Sequence, residues 1–332
     1  MPSTDVKFMK LCLDLARKGL GSVAPNPMVG SVIVVNKKII ATGYHEQYGG
    51  AHAEVNAINS VLDKKLLEQS TLYVNLEPCS HFGKTPPCVD LIIKSKIPRV
   101  VIGCLDVFAK VNGRGIKKLK KAGIDVRVGV LEKECKMLNK TFFTYHQKKR
   151  PYIILKWAQT ADGFIDIERS FSSSKKAIKI SDKQNKIAGH KLRSETQAIM
   201  VGTNTALLDN PHLTTRLVKG KNPLRIVIDR DLKIPRHFNL LDKNVLTLVF
   251  TAEEAKSEHN LEFVKINFQK NILPQILKEL YKREIQSLMV EGGAKLLNSF
   301  IENNLFDEVR VFTAKKKIKH GVKAPNLKLA QV

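Results

Sequence analysis

The chain alternates between two spacings of hydrophobic residues. Near the N-terminus, apolar residues recur every three or four positions, which predicts an amphipathic helix. The residues that carry this helical period are Phe8, Leu11, Cys12, Leu15 and Ala16. Beyond them, two β-branched runs flank Asn36-Lys37-Lys38, which predicts a β-hairpin.

Strand and helix patterns then follow one another through the rest of the first half. The expected strands are 70–79, 99–106 and 125–131. The expected helices are 52–62, 88–97, 115–124 and 132–149. This alternation predicts an α/β sandwich whose sheet is largely parallel after the hairpin.

A polar and charged stretch, "YHQKKRPYI" around Pro151, marks a boundary and predicts two domains, 1–147 and 148–332. The alternation restarts beyond it, so the second domain is also expected to be α/β. The expected strands are 152–163, 224–230, 245–251, 261–266, 287–293 and 307–314. The expected helices are 181–195, 272–285 and 294–305. We interpret residues 198–211 as a strand followed by a long turn, and the chain after Phe312 has little pattern.

Composition narrows the class of protein. No apolar run approaches the length of a membrane-spanning helix, and acidic Asp5 and Asp14 within the first helix argue against a secretory signal. Five cysteines, an odd number, argue against a disulfide framework and leave metal binding or core packing. We therefore expect a cytoplasmic protein that does not associate with membranes.

The net charge of +25 raises the question of a nucleic-acid partner. Residues 1–150 hold 25 of the 56 lysines and arginines and 12 of the 31 acidic residues, so the excess is shared evenly between the halves. Lysine pairs such as Lys37-Lys38 are typical of solvated faces. We expect no nucleic-acid partner; a nucleic-acid face and attraction for phosphorylated small molecules are the alternatives.

Candidate chemistry begins at "HAEVNAINSV", residues 52–61, where His52 and Glu54 stand at the head of a helical run. A lone His-x-Glu is more often a solvated helix start. The stretch "EPCSHFGKTPPC" adds Cys79 at a strand end and Cys88 at the next helix start, where a thiolate is favoured. One imidazole and two thiolates match a catalytic zinc site with its fourth position open to water.

Zinc lowers the pKa of bound water, and Glu54, which is not a ligand, can then move protons. His-x-Glu followed by Pro-Cys-x-x-Cys is the signature of zinc deaminases that act on nucleobases. Here eight residues separate Cys79 from Cys88 instead of two. The remaining cysteines lie on apolar segments and are expected in the core: Cys12, Cys104 and Cys135.

Three longer motifs resemble the deaminase half of the bifunctional riboflavin-biosynthesis deaminase/reductase family. They are "PNPMVGSVIV" (25–34), "GYHEQYGGAHAE" (43–54) and "EPCSHFGKTPPC" (77–88). The resemblance implies a cytidine-deaminase-like α/β/α sandwich for the first domain. It further implies that Asn26 hydrogen-bonds the pyrimidine edge and that His45, His81 and Lys84 line the pocket, although each could instead serve loop structure.

Residues 154–165, 201–216 and 290–308 resemble the reductase half of the same family, which implies a dihydrofolate-reductase-like α/β domain that uses NADPH. Gly292-Gly293, between a strand and a helix, independently suits a phosphate at the helix N-terminus. The residues that the resemblance assigns to the cofactor site are Lys156, Gln159, Asp162, Lys179, Thr205, Asp209, Gly293, Ala294, Lys295, Leu296, Leu297, Asn298 and Ser299. Those assigned to the reductase substrate are Ala177, Arg193, Leu213, Arg216 and Glu291, with the arginines on its phosphate.

Two segments depart from the family pattern. "AIKIS" (177–181) stands where the family usually has Ser-x-Trp-Ile-Thr, so Lys179 replaces a tryptophan and Ala177 a serine. Near the C-terminus, His320-Gly321 replaces Gly-Gly. A slow or altered reductase half is therefore an alternative to full bifunctionality.

The sequence predicts an enzyme with one Zn²⁺ per chain and NADPH as cofactors. It would deaminate a diaminopyrimidinone ribosyl phosphate and then reduce the ribosyl group to ribityl. The resemblance also implies a homo-oligomer, a dimer or tetramer. A nucleic-acid base deaminase and a non-catalytic structural zinc protein are the alternatives from other classes.

Overall fold

The computed structural model divides the chain into two units, Met1–Lys148 and Lys149–Val332. The division lies one residue beyond the predicted boundary. The residues that the structure describes are 4–82, 86–108, 111–171 and 175–327.

The first unit is built on a five-stranded sheet. Its strands are β1 (Gly30–Val35), β2 (Lys38–Tyr44), β3 (Thr71–Leu76), β4 (Arg99–Cys104) and β5 (Asp125–Val128). The order is β2-β1-β3-β4-β5; β1 runs antiparallel to both neighbours, and β3, β4 and β5 are parallel. The predicted hairpin and the parallel strands after it are confirmed.

Helices cover both faces of this sheet. They are α1 (Thr4–Arg17), α2 (Ala53–Ser60), α3 (Cys88–Lys94), α4 (Arg114–Lys121), α5 (Glu132–Leu138) and α6 (Lys140–Lys148), with a 3₁₀ turn at Lys64–Gln69. Along β1, Val32 and Val34 face the core under α1, α5 and α6, whereas Ile33 faces the core under α2, α3 and α4. This alternation produces the predicted α/β/α sandwich.

Two buried asparagines hold the loop that precedes β1. The single helix predicted over 132–149 is wrong, because it breaks at Asn139. The Asn139 side chain accepts a hydrogen bond from the Met28 N–H at 2.8 Å and donates to the Met28 carbonyl at 2.9 Å. Asn75 accepts from the Gly30 N–H at 2.8 Å and donates to the same Met28 carbonyl at 3.1 Å. These side chains replace the partners that the loop backbone lacks.

The second unit contains a seven-stranded parallel sheet and a short antiparallel ribbon. The sheet order is β11-β10-β9-β8-β12-β6-β13, and β7 pairs with β14. The strands are β6 (Tyr152–Gln159), β7 (Phe164–Asp166), β8 (Ala198–Val201), β9 (Leu224–Ile228), β10 (Thr247–Thr251), β11 (Leu261–Lys265), β12 (Ser287–Gly292), β13 (Glu308–Thr313) and β14 (Val322–Lys323). The parallel α/β class is confirmed, and β14 forms in the part of the chain that lacked a pattern.

Helices α9 and α10 cover one face of this sheet, and α7 and α8 cover the other. Their bounds are α7 (Lys183–Glu195), α8 (Thr203–Asp209), α9 (Ile272–Lys282) and α10 (Ala294–Glu302), with a 3₁₀ turn at Asn239–Leu241. None of the helices in the described part of the chain has the length and apolar character that a membrane span requires.

The long turn predicted after β8 is wrong, because the chain forms α8 there. Gly202 is the extended residue before the helix, and Asn210 ends it in the left-handed conformation with φ of 40°. A helix of seven residues is too short to show a clear apolar period. The Asp-Asn-Pro sequence that resembled a turn is the C-terminal end of this helix.

We expect Asn75→Ala to destabilise the first unit by about 1–3 kcal/mol, because the buried Gly30 N–H loses its side-chain acceptor. Hydrogen exchange of peptides from this unit, measured along a urea titration, gives the midpoint. Asn59→Ala, at an exposed position of the same unit, is the matched control. Equal midpoints for the two variants would contradict this role for Asn75.

Candidate active sites

Three metal-ligating side chains meet at one end of the first unit. His52 immediately precedes α2, Cys79 follows β3, and Cys88 is the first residue of α3. His52 Nδ1 lies 3.2 Å from Cys88 Sγ and 3.5 Å from Cys79 Sγ. The three potential ligand atoms lie within 4.8 Å of one another.

Close packing places these ligands. A Cβ atom at Gly43 would lie 2.4 Å from both the Ala53 carbonyl oxygen and the Ala57 nitrogen, so only glycine lets α2 approach β2 this closely. The contact sets the height of His52 above the sheet. The two cysteines are also linked to each other, since the Cys88 N–H donates to Cys79 Sγ at 3.2 Å. Contacts with Cys88 lower the pKa of the Cys79 thiol.

The donor set fits a zinc ion. One imidazole nitrogen and two sulfurs are the ligands of catalytic zinc, and a tetrahedral ion would keep one position open. Glu54, in the first turn of α2, is only 3% exposed and interacts with the Cys88 thiol without belonging to the ligand group. Burial raises the pKa of Glu54 to about 7.

Glu77, two residues before Cys79, is a buried residue whose role the sequence analysis missed. Its buried carboxylate follows β3 and accepts hydrogen bonds from the N–H groups of Gly113 at 2.9 Å and Gly115 at 3.0 Å. It therefore holds the start of α4 against the strand end that carries Cys79, two residues away. An acidic residue directly before Pro-Cys was the available signal, but its partners lie about 36 residues further along the chain.

The residues expected to line the deaminase pocket differ in their surroundings. Asn26 Nδ2 contacts His45 Nε2 at 3.1 Å, and burial lowers the pKa of His45. His81 is half-buried against the Phe108 ring, with 5.5 Å between ring centroids. Lys84 lies outside the described residues.

The second unit gathers buried charges at the carboxyl edge of its sheet. Lys156 on β6 donates to Glu291 Oε1 at 2.8 Å, and Arg193 on α7 donates to Glu291 Oε2 at 2.7 Å. Glu291 lies where the pairing of β12 with β8 shifts register, an irregularity that redirects a side chain. Burial alone would raise the pKa of Glu291, but Lys156 and Arg193 bring it below its ordinary value.

A second layer surrounds this ion triad. His190, three residues before Arg193 on α7, accepts the Arg216 N–H through Nδ1 at 3.0 Å. Leu213 is buried with φ of 52°, a conformation that non-glycine residues rarely adopt. Burial and the neighbouring Arg193 lower the pKa of Arg216. Three cations against one carboxylate leave a local excess of positive charge.

Several of the residues expected at the cofactor lie in the first turns of α10 or next to them. A Cβ atom at Gly292 would lie 2.8 Å from Thr205 Cγ2, so α8 packs directly on the turn that leads through Gly293 into α10. Farther along α10, Leu296 and Leu297 are buried in the core, and Asn298 accepts from the Asn326 N–H.

Other residues expected at the cofactor have protein partners. Asp209 pairs with Arg169, and Gln159 accepts from the Trp157 indole N–H at 2.8 Å. Asp162 accepts from the N–H groups of Ile318 at 3.0 Å and Lys319 at 2.8 Å. Further members are surface residues, namely Lys295 and Ser299 on α10 and Lys179 in the segment before α7. Ala177, which was expected at the reductase substrate, is exposed in the same segment.

Family models match both units of the chain. Residues 2–104 match the cytidine and deoxycytidylate deaminase zinc-binding region, and residues 151–317 match the RibD C-terminal domain. The riboflavin biosynthesis protein RibD of Aquifex aeolicus (strain VF5) is 43% identical over 99% of this chain and 92% of its own. The chain belongs to the RibD family.

Solved structures of relatives resemble this chain. A deaminase/reductase from Thermotoga maritima is 42% identical, with a TM-score of 0.86 over 96% of this chain and 89% of that one. Acinetobacter baumannii RibD is 29% identical, with a TM-score of 0.87 over 97% and 89%. As a RibD family member, the chain is a deaminase and reductase of riboflavin biosynthesis that uses Zn²⁺ and NADPH. The nucleic-acid base deaminase alternative is not favoured.

We expect Glu77→Gln to lower zinc affinity by about tenfold or more. Both carboxylate oxygens of Glu77 accept hydrogen bonds from backbone N–H groups, whereas the amide would place an NH₂ group against one of those donors. Competition with a chromophoric chelator measures the affinity. Glu68→Gln, at an exposed site in the same unit, is the matched control. Unchanged zinc affinity in Glu77→Gln would show that the metal site does not depend on this contact.

We expect Glu291→Gln to lower the reductase kcat/KM by more than about tenfold and leave deamination unchanged, since Lys156 and Arg193 lose their counter-charge. The folded-state pKa of Glu291 lies below its ordinary value of 4.5. Its ion pairs therefore stabilise the unit fully above pH 4.5, and this contribution is lost as pH falls through the folded-state pKa.

Melting temperatures between pH 3 and 7 measure this effect, and Glu291→Gln should lose that part of the acid dependence. Glu302→Gln, exposed on α10, is the control. A Glu291→Gln variant with the wild-type acid profile and wild-type reduction would contradict the role of the triad.

Proposed function

We propose that the first unit deaminates a diaminohydroxyphosphoribosylaminopyrimidine and that the second unit reduces the resulting 5-amino-6-(5-phosphoribosylamino)uracil. These are the two activities for which the Thermotoga maritima relative is named. The observation that carries the proposal is the His52, Cys79 and Cys88 group beside buried Glu54. The reductase unit of the same chain explains why a phosphoribosyl substrate fits better than a nucleic acid.

In the deaminase unit, His52, Cys79 and Cys88 would hold the zinc ion, which when bound activates water as a Lewis acid. Glu54 would take a proton from the water that attacks the amine-bearing ring carbon. It would then deliver a proton to the amino group, which leaves as ammonia while the water oxygen becomes the new carbonyl. Asn26, His45, His81 and Lys84 would form the pocket around the pyrimidine.

In the reductase unit, the positive excess around Glu291 would bind the phosphate of the substrate. Arg193 and Arg216 are the groups suited to a bidentate contact with phosphate, and Leu213 would shape the adjoining surface. Arg193 also donates to the Thr214 carbonyl at 3.2 Å, so one side chain orders both the triad and the loop that carries Arg216.

NADPH supplies the hydride that reduces the ribosyl C1′, and the chain aligns the cofactor with the sugar. The proposed contacts are Lys156, Gln159, Asp162, Lys179, Thr205, Asp209 and the Gly293–Ser299 stretch. The start of α10 would receive a phosphate through its free N–H groups. Ala177 would face the substrate.

The test follows ammonia release and NADPH oxidation by zinc-loaded protein given the phosphoribosylated diaminopyrimidinone. Glu54→Gln should lower deamination by about 10²–10⁴-fold while zinc stays bound and reduction of the deaminated substrate continues. Cys88→Ser should lose zinc as well as deamination. Glu134→Gln, exposed on α5, is the control for charge removal.

Ammonia release without NADPH oxidation would contradict the proposal for the second unit only. Absence of both signals in protein that holds zinc would contradict it for both. A homo-oligomer, dimer or tetramer, and a cytoplasmic location stay predictions; light scattering and cell fractionation measure them.

A further inference from the structure

The His45 ring is fully engaged by the protein. It follows β2, is only 2% exposed, and both of its nitrogens have partners. Nδ1 lies 3.0 Å from the Ala51 carbonyl oxygen, and Nε2 lies 3.1 Å from Asn26 Nδ2. A carbonyl oxygen only accepts, so Nδ1 carries the hydrogen. In the neutral ring Nε2 is then an acceptor, and it requires the amide nitrogen of Asn26.

The backbone around Asn26 is held as firmly as its amide. The Asn26 N–H donates to the Val23 carbonyl at 2.9 Å, and Met28 is held by the buried Asn75 and Asn139 side chains. With Nδ2 on His45, the opposite side of the amide is Oδ1. No hydrogen bond to Asn26 Oδ1 occurs among the residues that the structure describes. The His45 ring is edge-on to the His52 ring, with centroids 5.5 Å apart, so the ring that Asn26 contacts lies next to a potential metal ligand.

We propose that His45 is a positioning residue that makes Asn26 present its carbonyl oxygen to the aminopyrimidine. This inference rests on the proposed deaminase function. At the reacting carbon the substrate carries an amino group, which donates hydrogen bonds, whereas the product carries a carbonyl oxygen, which accepts them. An Asn26 oxygen that faces this group therefore favours substrate over product, and an inverted amide would favour the product.

Two substitutions of His45 separate its two hydrogen bonds. The amide of an asparagine occupies the place of Nδ1, so His45→Asn keeps the donor to Ala51 and leaves Asn26 without its acceptor. The amide of a glutamine reaches the place of Nε2, so His45→Gln can still accept from Asn26. We expect His45→Asn to lower the deaminase kcat/KM by about tenfold or more, and His45→Gln, which keeps the acceptor for Asn26, to retain at least about threefold more activity than His45→Asn.

A double-mutant cycle with Asn26→Ala tests whether His45 acts through Asn26. His45→Asn should cost less than about threefold once Asn26 is absent. In the single variant, where Asn26 is present, His45→Asn should also lower the ratio of the product inhibition constant to the substrate KM. The Asn26 amide, freed from His45, can then turn its NH₂ group toward the product carbonyl. A purely structural role would not change this ratio.

Zinc content and reduction of the deaminated substrate are measured on every variant, and the wild-type deaminase rate is measured first. If the wild-type enzyme releases ammonia but the effects of His45→Asn and Asn26→Ala on kcat/KM multiply independently, the inference is overturned and the proposed function stands. Loss of zinc from His45→Asn would overturn it too, since His45 would then support the metal site. A wild-type enzyme that releases no ammonia would refute the proposed function itself.

Discussion

Backbone groups next to a buried sheet need hydrogen-bond partners, and the deaminase site is built around this need. Its residues lie on loops that leave a sheet covered on both faces, and backbone groups where these loops meet the sheet, such as the Gly30 N–H, are buried. Buried side chains supply the partners instead. Asn75 and Asn139 serve the loop before β1, and Glu77 serves the start of α4. Each of these residues thereby also fixes a functional neighbour, so packing and chemistry cannot be separated there.

The site of the reductase unit depends on charged side chains and not on partners for the backbone. Three cationic side chains surround the single carboxylate of Glu291, and they come from β6, α7 and the segment after α8. The chain has 56 lysines and arginines in all. Most of them are solvated and carry little specific energy. Around Glu291, Lys156 and Arg193 are largely buried and Arg216 is exposed, and this positive excess is the proposed site for a phosphate.

Much of the fold could be predicted from local pattern. The hairpin, the parallel strands and the helices that begin just after His52 and at Cys88 all have periods or end signals within ten residues. The wrong predictions share a cause. Helix α8 is too short to show a period, and the break at Asn139 depends on Met28, which is more than a hundred residues away. Glu77 has the same difficulty, since its backbone partners reach it only when the start of α4 comes to the C-terminal end of β3.

The sequence by itself determined the chemistry of this protein: which residue types are present, and that the His-Ala-Glu and Pro-Cys motifs fall at helix starts and strand ends. Those features depend on neighbours along the chain, so spacing reveals them. Only the tertiary structure decided what each polar group faces. His45 is turned toward Asn26 and Ala51, and Asp209 toward Arg169, because folding brings distant segments together and every buried donor or acceptor must find a partner among them.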